Sequence, residues 1–273
     1  MEMHDAKAGA AAVAEAAGAG LLQRSVALLR VLATAGRRGA ALTALARHTG
    51  LSNSTVHRLL AQLIAERLAM KMEDSKRYAL GPLAYELGLA ATHQFDIRSL
   101  CRPLIERLAS EVAETVYLIQ RSGIEAVCLD LVEGPTPVRV VTLHVGSRRP
   151  LGLGAGGLAI LAALDDDEQQ ATLAQVQERI AKEWDFPEHI LRESLQTARE
   201  TGCSLIRNRI TPGVTAVGRS FRDSLGQVLG AISVAGVNAR MTKARQGALM
   251  QSLTVATRDV ERVLGGQGWA RYV

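Results

Sequence analysis

Arg58 and Asn53 carry the most specific chemistry in this sequence. A guanidinium can donate two parallel hydrogen bonds to the O6 and N7 of guanine, and a carboxamide can pair with the N6 and N7 of adenine. The two stand at either end of the run NSTVHR, with Ser54, Thr55 and His57 between them. The hydroxyls of Ser52 and Thr55 suit phosphate oxygens, and the amides that open a helix attract the same anions. His57 reads either as a base-edge contact or as an exposed residue that touches nothing. Further along, Lys76 and Arg77 sit in a short polar stretch and could meet a neighbouring phosphate or the minor groove.

Other chemistries find less support. Gly152, Gly154 and Gly157 in GLGAGG satisfy the GxGxxG spacing and precede a helix. A dinucleotide fingerprint, however, follows directly on a strand and opens a βαβ unit. Here Ser147-Arg148-Arg149-Pro150 intervenes and no βαβ continuation follows, so only the anion-attracting helix start survives. Cys101, Cys128 and Cys203 form no CxxC pair, which gives no zinc spacing and fits reduced thiols. The six His are scattered and neither GxSxG nor HExxH occurs. No metal, cofactor or catalytic array is therefore expected. Two alternatives to a non-enzymatic regulator remain: an enzyme with an accessory DNA-binding segment, and a thiol-based redox regulator.

The elements that must position Asn53 and Arg58 follow from periodicity. Leu21 to Ala35 carries apolar residues at helical spacing and ends between Gly36 and Gly39. A second helix is predicted from Leu42 to His48, and a third, capped by Ser52 or Asn53, to about Leu68. In LTALARHTGLSNSTVHRLLA, Ala46 is small where two helices approach, and Gly50 allows positive φ in the turn. Val56 and Leu59 clamp the third helix from behind. This is helix-turn-helix spacing, in which the second helix of the pair enters the major groove. Met70–Met72 and Arg77–Leu80 then read as strands around Glu73-Asp74-Ser75-Lys76, the wing of a winged helix. A connecting helix follows Gly81-Pro82, with Tyr85, Leu87 and Leu89 on it, and another runs over Ile97–Val112.

Beyond residue 112 the pattern alternates. Strands are predicted over Thr115–Arg121, Glu125–Glu133, Val138–His144, Cys203–Ile206, Val214–Phe221 and Gln227–Ala235. Helices are predicted over Gly156–Leu164, Asp167–Ala181, Pro187–Thr201 and Met241–Leu264. The fold class is therefore α+β, a sheet flanked by helices behind a helical N-terminal domain.

Charge singles out the first of these domains. The whole chain carries a formal net charge of +5, yet residues 21–80 alone carry ten Lys/Arg against three Asp/Glu. Residues 81–273 are neutral, with 21 of each sign. A positive excess confined to about sixty residues is the electrostatic footprint of a nucleic-acid partner. At 48% hydrophobic and 3% aromatic content, the cores are built mainly of Leu, Val, Ile and Ala. No apolar run is long enough for a membrane span, and the Ala-rich start lacks the basic n-region of a signal peptide. A cytoplasmic protein without a membrane partner is expected.

On the segments SVALLRVL, LARHTGLSNSTVHRLLAQL, RYALGPLAYELG, VGSRRPLGLGAGGLAILA, GVTAVGRSF and LGAISVAG, the chain resembles the IclR family of bacterial regulators from about Leu21 onward. The resemblance implies a winged helix-turn-helix, a connecting helix and a GAF-like effector-binding domain. With it come the boundaries 1–20 for a disordered Ala-rich tail, 21–82, 83–95 and 96–266 for those three parts, and 267–273 for a tail. It also implies a homodimer or pair of dimers on pseudo-palindromic double-stranded operator DNA, acting as repressor or activator under a small organic acid effector. Carried over by position, the effector pocket takes Thr142 and Val145, the helix start at Gly154, Ala155 and Gly156, then Ile206, Arg207, Val214, Ala216, Ser233 and Ala235. Small-acid-binding relatives often have an acidic run where this chain reads Ile206-Arg207-Asn208-Arg209. A Cys and a second Ser of such members correspond to Ala216 and Ala235. The pocket is thus expected to be less polar and to take a bulkier, aromatic carboxylate. Arg207 or Arg209 is then the anion's partner, or else a solvated surface charge.

Overall fold

The computed structural model describes residues 20–95 and 97–265. Residues 1–19 and 266–273, with most of the two expected tails, and Asp96 lie outside the described residues. The chain divides into two compact units between Gln94 and Phe95.

The first unit runs α1 (Leu21–Thr34), a 3-10 turn at Gly36–Arg38, β1 (Ala40–Ala41), α2 (Leu42–Thr49), α3 (Asn53–Ala65), β2 (Ala69–Lys71), β3 (Arg77–Leu80) and α4 (Pro82–Phe95). Its strands form a small antiparallel sheet in the order β1-β3-β2. The helices close over Leu28, Leu32, Leu45, Val56, Leu59, Leu60 and Leu63, all buried. Gly50 takes φ 65°, the left-handed turn between α2 and α3 that the sequence calls for. α3 stops at Ala65, three residues before Leu68. Arg67 turns to φ 57°, and the Leu68 amide closes back on the Leu63 carbonyl at 2.8 Å, a left-handed helix ending without glycine. β1 has too few residues to show in the pattern and exists through its pairing of Ala40 with Tyr78.

The second unit begins with α5 (Ile97–Val112) and continues through β4 (Thr115–Ser122), β5 (Glu125–Val132), β6 (Arg148–Pro150), α6 (Gly154–Ala163), α7 (Asp166–Trp184) and α8 (Glu188–Thr201). It ends with β7 (Ser204–Arg207), β8 (Val214–Arg222), β9 (Val228–Val237) and α9 (Lys243–Gly265). The six strands form one antiparallel sheet, β6-β5-β4-β9-β8-β7. Alternation along the strands builds a core on each face. Val116, Leu118, Val217 and Ile232 pack against α5 and α9. Tyr117, Ile119, Ala126 and Ala231 pack against α6, α7 and α8. β9 is buried on both faces along nearly its whole length. Asp130 on β5, 3% exposed, holds Arg102 at 3.0 Å and Arg98 at 3.2 Å and so ties α5 to the sheet.

The segment Val138–His144 is not a strand, although its composition predicts one. Its backbone groups are taken up by side chains instead of a ladder. The Val138 carbonyl accepts from Thr136 and Arg240, the Val140 carbonyl from Tyr117, the Thr142 carbonyl from Arg149, and the His144 amide donates to Ser147. The strand beside β5 is β6, with Ala126 opposite Arg149. The glycines of GLGAGG therefore do follow a strand closely. β6 is an antiparallel edge strand, however, so the parallel βαβ unit of a dinucleotide site is absent here.

Candidate nucleic-acid interface and ligand cavity

α3 is a 13-residue rod with two faces. Val56, Leu59, Leu60 and Leu63 are buried against the rest of the unit, which leaves Asn53, Ser54, His57 and Arg58 exposed along the opposite side. Its start is fixed by Ser52, whose Oγ accepts from the Thr55 amide at 3.2 Å. The same oxygen lies 3.0 Å from Ser54 Oγ and 2.8 Å from Thr55 Oγ1. The hydroxyls of Ser52, Ser54 and Thr55 thus form one cluster at the helix entrance, where the backbone dipole is positive. Thr55 is half-buried; the other polar residues of this turn are exposed. The expected wing forms between β2 and β3, with Lys76 exposed at its turn. Arg77 is turned back: its Nε donates to the Gly39 carbonyl at 3.1 Å. One of the two wing cations therefore braces β3 against the loop before β1.

The second unit contains a cavity of about 50 Å3 between the sheet, the start of α6 and the loop after β5. Thr142, Gly154, Ala155, Gly156, Ile206, Val214, Ala216, Ser233 and Ala235 line it, all of them expected. Val145 does not: it sits in the turn before Ser147, 46% exposed. Arg207 does not either. Successive side chains of β7 alternate, so Ile206 points in and Arg207 is exposed, as is Arg209 beyond the strand. The cation on the cavity is Arg149, and Tyr117 stands beside it in the lining. The sequence had offered a signal for Arg149, the adjacent pair in SRRP, which goes unread when that stretch is taken for loop.

Three hydrogen bonds fix this end of the cavity. The Tyr117 hydroxyl donates to the Val140 carbonyl at 2.7 Å and accepts from the Thr142 amide at 2.9 Å. Arg149 Nη2 donates to the Thr142 carbonyl at 3.0 Å. Burial pushes the Tyr117 pKa up, opposed by the Thr142 amide and the Arg149 charge. No side chain caps the first turn of α6, and Gly154, Ala155 and Gly156 of that turn line the cavity. α6 lies tight on the sheet: a Cβ on Gly156 would come 2.7 Å from Ile119 Cγ1. Close packing by Ile119, Leu153 and Ile206 keeps the cavity small. A single water needs about 10–15 Å3, so the space admits a small ligand.

Cys101, Cys128 and Cys203 are all buried, and burial pushes Cys101 and Cys128 up to about 12. A thiolate is the reactive form, and neither of these two supplies one near neutral pH. Among the described residues no helix is long and apolar enough to cross a membrane.

Comparison with known proteins places these two regions in context. Residues 21–71 match the family model described as the IclR helix-turn-helix domain, and residues 89–262 match that of the bacterial transcriptional regulator IclR C-terminal domain. The chain is 31% identical to the HTH-type transcriptional regulator KipR of Bacillus subtilis, over 80% of this chain and 86% of that protein. It is 29% identical to the HTH-type transcriptional repressor AllR of Escherichia coli, over 91% of each. Among solved structures, an IclR homolog from Microbacterium hydrocarbonoxydans complexed with 4-hydroxybenzoate shares the fold. Its TM-score is 0.69 at 21% identity, covering 90% of this chain and 99% of that one.

Proposed function

The chain belongs to the IclR family of bacterial transcription regulators, which are DNA-binding regulators and not enzymes, and on that premise we propose that it controls transcription in response to a small organic carboxylate. The observation that carries the reading is α3. It is a rod clamped from behind by Val56, Leu59, Leu60 and Leu63 that presents Asn53, Ser54, His57 and Arg58 to solvent, in the most basic segment of the chain. In this account α3 enters the major groove, with Arg58 reading a guanine and Asn53 an adenine. Ser52 and Thr55 meet phosphates at the helix entrance, and Lys76 meets a phosphate beside it. Arg77, exposed and braced by its Nε on the Gly39 carbonyl, meets a neighbouring phosphate or the minor groove as well.

The effector occupies the cavity at the start of α6, in the domain assigned to residues 96–266. Residues 21–82 form the DNA-binding domain and 83–95 the connecting helix. A cavity of about 50 Å3 favours a small acid; an aromatic one, such as the relative's 4-hydroxybenzoate, needs the walls to part. A homodimer is part of the proposal, because Tyr85 and Leu89, one turn apart on α4, and Leu87 on its other side are all more than half exposed, and exposed apolar side chains on a helix suit a second copy. The protein then works in the cytoplasm, on operator DNA with paired half-sites. Effector binding favours a state of the dimer whose half-site spacing no longer fits.

A thermal-shift screen of organic acids tests this, since a ligand that binds only the native state raises its melting temperature. The acid that raises it most is then added to complexes of the protein with its own upstream DNA. The account expects a change in DNA affinity of about 5- to 150-fold, the usual range of coupling between two sites. An acid that binds and leaves DNA affinity unchanged would remove the regulatory half of the proposal.

A further inference from the structure

The floor of the cavity is a row of residues on adjacent strands. Ile206 on β7 stands opposite Ala216 on β8, and Ala216 opposite Ala235 on β9. All three line the cavity. The next residue in the row is Thr115 on β4, opposite Ala235. Alternation along β4 puts Thr115 on the same face as Tyr117 and Ile119, which line the cavity too, while Val116 and Leu118 pack towards α5 and α9. Residues directly opposite across a ladder have Cβ atoms about 4.5–5.5 Å apart, and Ala235 alone separates Thr115 from Ala216 in the row. Thr115 is 2% exposed, and its Oγ1 is buried with no hydrogen-bond partner among the described residues. Buried hydroxyls are nearly always paired, and an unpaired one destabilises the fold that holds it. Valine has nearly the same shape and suits a strand as well, so packing alone does not call for the oxygen.

We propose that Thr115 is a specificity-determining residue of the effector site. Its hydroxyl pairs with a second polar group of the ligand, so the cavity prefers a carboxylic acid bearing a hydroxyl or keto group to the plain acid of the same skeleton. The proposal rests on the cavity being the effector site. A ligand group lying over Ala235 comes within reach of Thr115 Oγ1, and the small side chains at 216 and 235 leave room for it. A hydroxyl both donates and accepts, so it serves a ligand hydroxyl or a keto oxygen. A ligand that places only hydrocarbon there leaves Oγ1 unpaired and gains nothing from it.

The test is calorimetry on the full chain with matched acids: propionate against lactate and pyruvate, butyrate against 3-hydroxybutyrate, and benzoate against 4-hydroxybenzoate. In at least one series wild-type protein should bind the hydroxy or keto acid about fivefold or more tightly than its parent. Thr115→Val should bring that ratio to about one by weakening the substituted acid alone, while Thr115→Ser, which keeps the hydroxyl, should retain the preference. The melting temperature of ligand-free Thr115→Val should equal or exceed that of wild type, because the change removes an unpaired buried hydroxyl. A marked fall would mean that the oxygen holds the fold, and would overturn the proposal. Ala216→Leu, which fills the cavity from β8, should abolish binding of every acid, with a cooperative melting transition reporting that the variant is folded. If Ala216→Leu blocks binding but Thr115→Val leaves the preference intact, the role of Thr115 is wrong and the site stands. If acids bind Ala216→Leu as they bind wild type, the site itself is wrong. A set in which every parent acid binds wild type as tightly as its substituted partners, or in which no acid binds, overturns the proposal whatever the variants do.

Discussion

At the scale of single residues, side chains proposed to choose a sequence differ from those proposed to hold a duplex. Arg58 is exposed on α3 with Val56 and Leu59 buried on either side of it in the chain, so its Cα is fixed while its guanidinium is free to reach a base edge. Arg58→Ala should cost about 1–3 kcal/mol of operator affinity and relax preference at one base pair, measured by titrating wild-type and base-substituted operators. Lys76 sits at the turn of the wing, exposed, and is proposed to meet a phosphate there. Lys76→Ala should weaken binding to every sequence alike and lower the slope of log affinity against log salt by about one. The opposite pattern, with Lys76 changing base preference, would reverse the two assignments. Arg77 marks a limit of reading residues by type. Its basicity suggested DNA, and only the hydrogen bond to the Gly39 carbonyl shows that it also serves the fold.

At the scale of elements, local signals worked where one residue type meets one backbone need. Gly50 at its left-handed turn, Ser52 at the start of α3 and the acids Asp165 to Glu168 at the start of α7 are all of this kind. Ser52→Ala removes the cap and should cost about 1 kcal/mol of stability, read from chemical denaturation; since the same hydroxyl belongs to the proposed phosphate cluster, operator affinity should fall too. The elements that eluded the sequence depend on distant partners. Residues 138–144 have the composition of a strand, yet their carbonyls and amides are claimed by Tyr117, Arg149, Arg240 and Ser147. Tyr117 and Arg240 stand far from the segment in the sequence, so their part cannot be seen from the segment itself. β6 was hidden for the same reason, and with it Arg149. Tyr117→Phe leaves the Val140 carbonyl and the Thr142 amide without their buried partner and should destabilise the second unit by about 1–3 kcal/mol. Denaturation followed by a probe in that unit should show the loss, while a value near zero would mean that the loop is held by other contacts.

At the scale of the whole molecule, two units share one chain and divide the work by charge. The positive excess belongs to the unit that carries α3, and the unit with the cavity is balanced in sign. In the proposed function, a basic reading head and a neutral sensor need only be coupled, by about 1–3 kcal/mol of differential affinity, for a small ligand to govern DNA binding. That division was legible in the sequence from the charge counts and from the change of periodicity near residue 112. The position of the cavity was legible only through the family's pattern, and its small volume not at all, because volume is set by how Ile119, Leu153 and Ile206 fill the space between sheet and helix.

Everything depends on α3 lying in a DNA groove, and nuclease footprinting of the protein on its own upstream region, at low ionic strength, tests that most directly. The account expects a protected stretch with two related half-sites, present for wild type and lost for folded Arg58→Ala at the same concentration. A site protected equally by both proteins, or no protected site for either with and without effector, would contradict it.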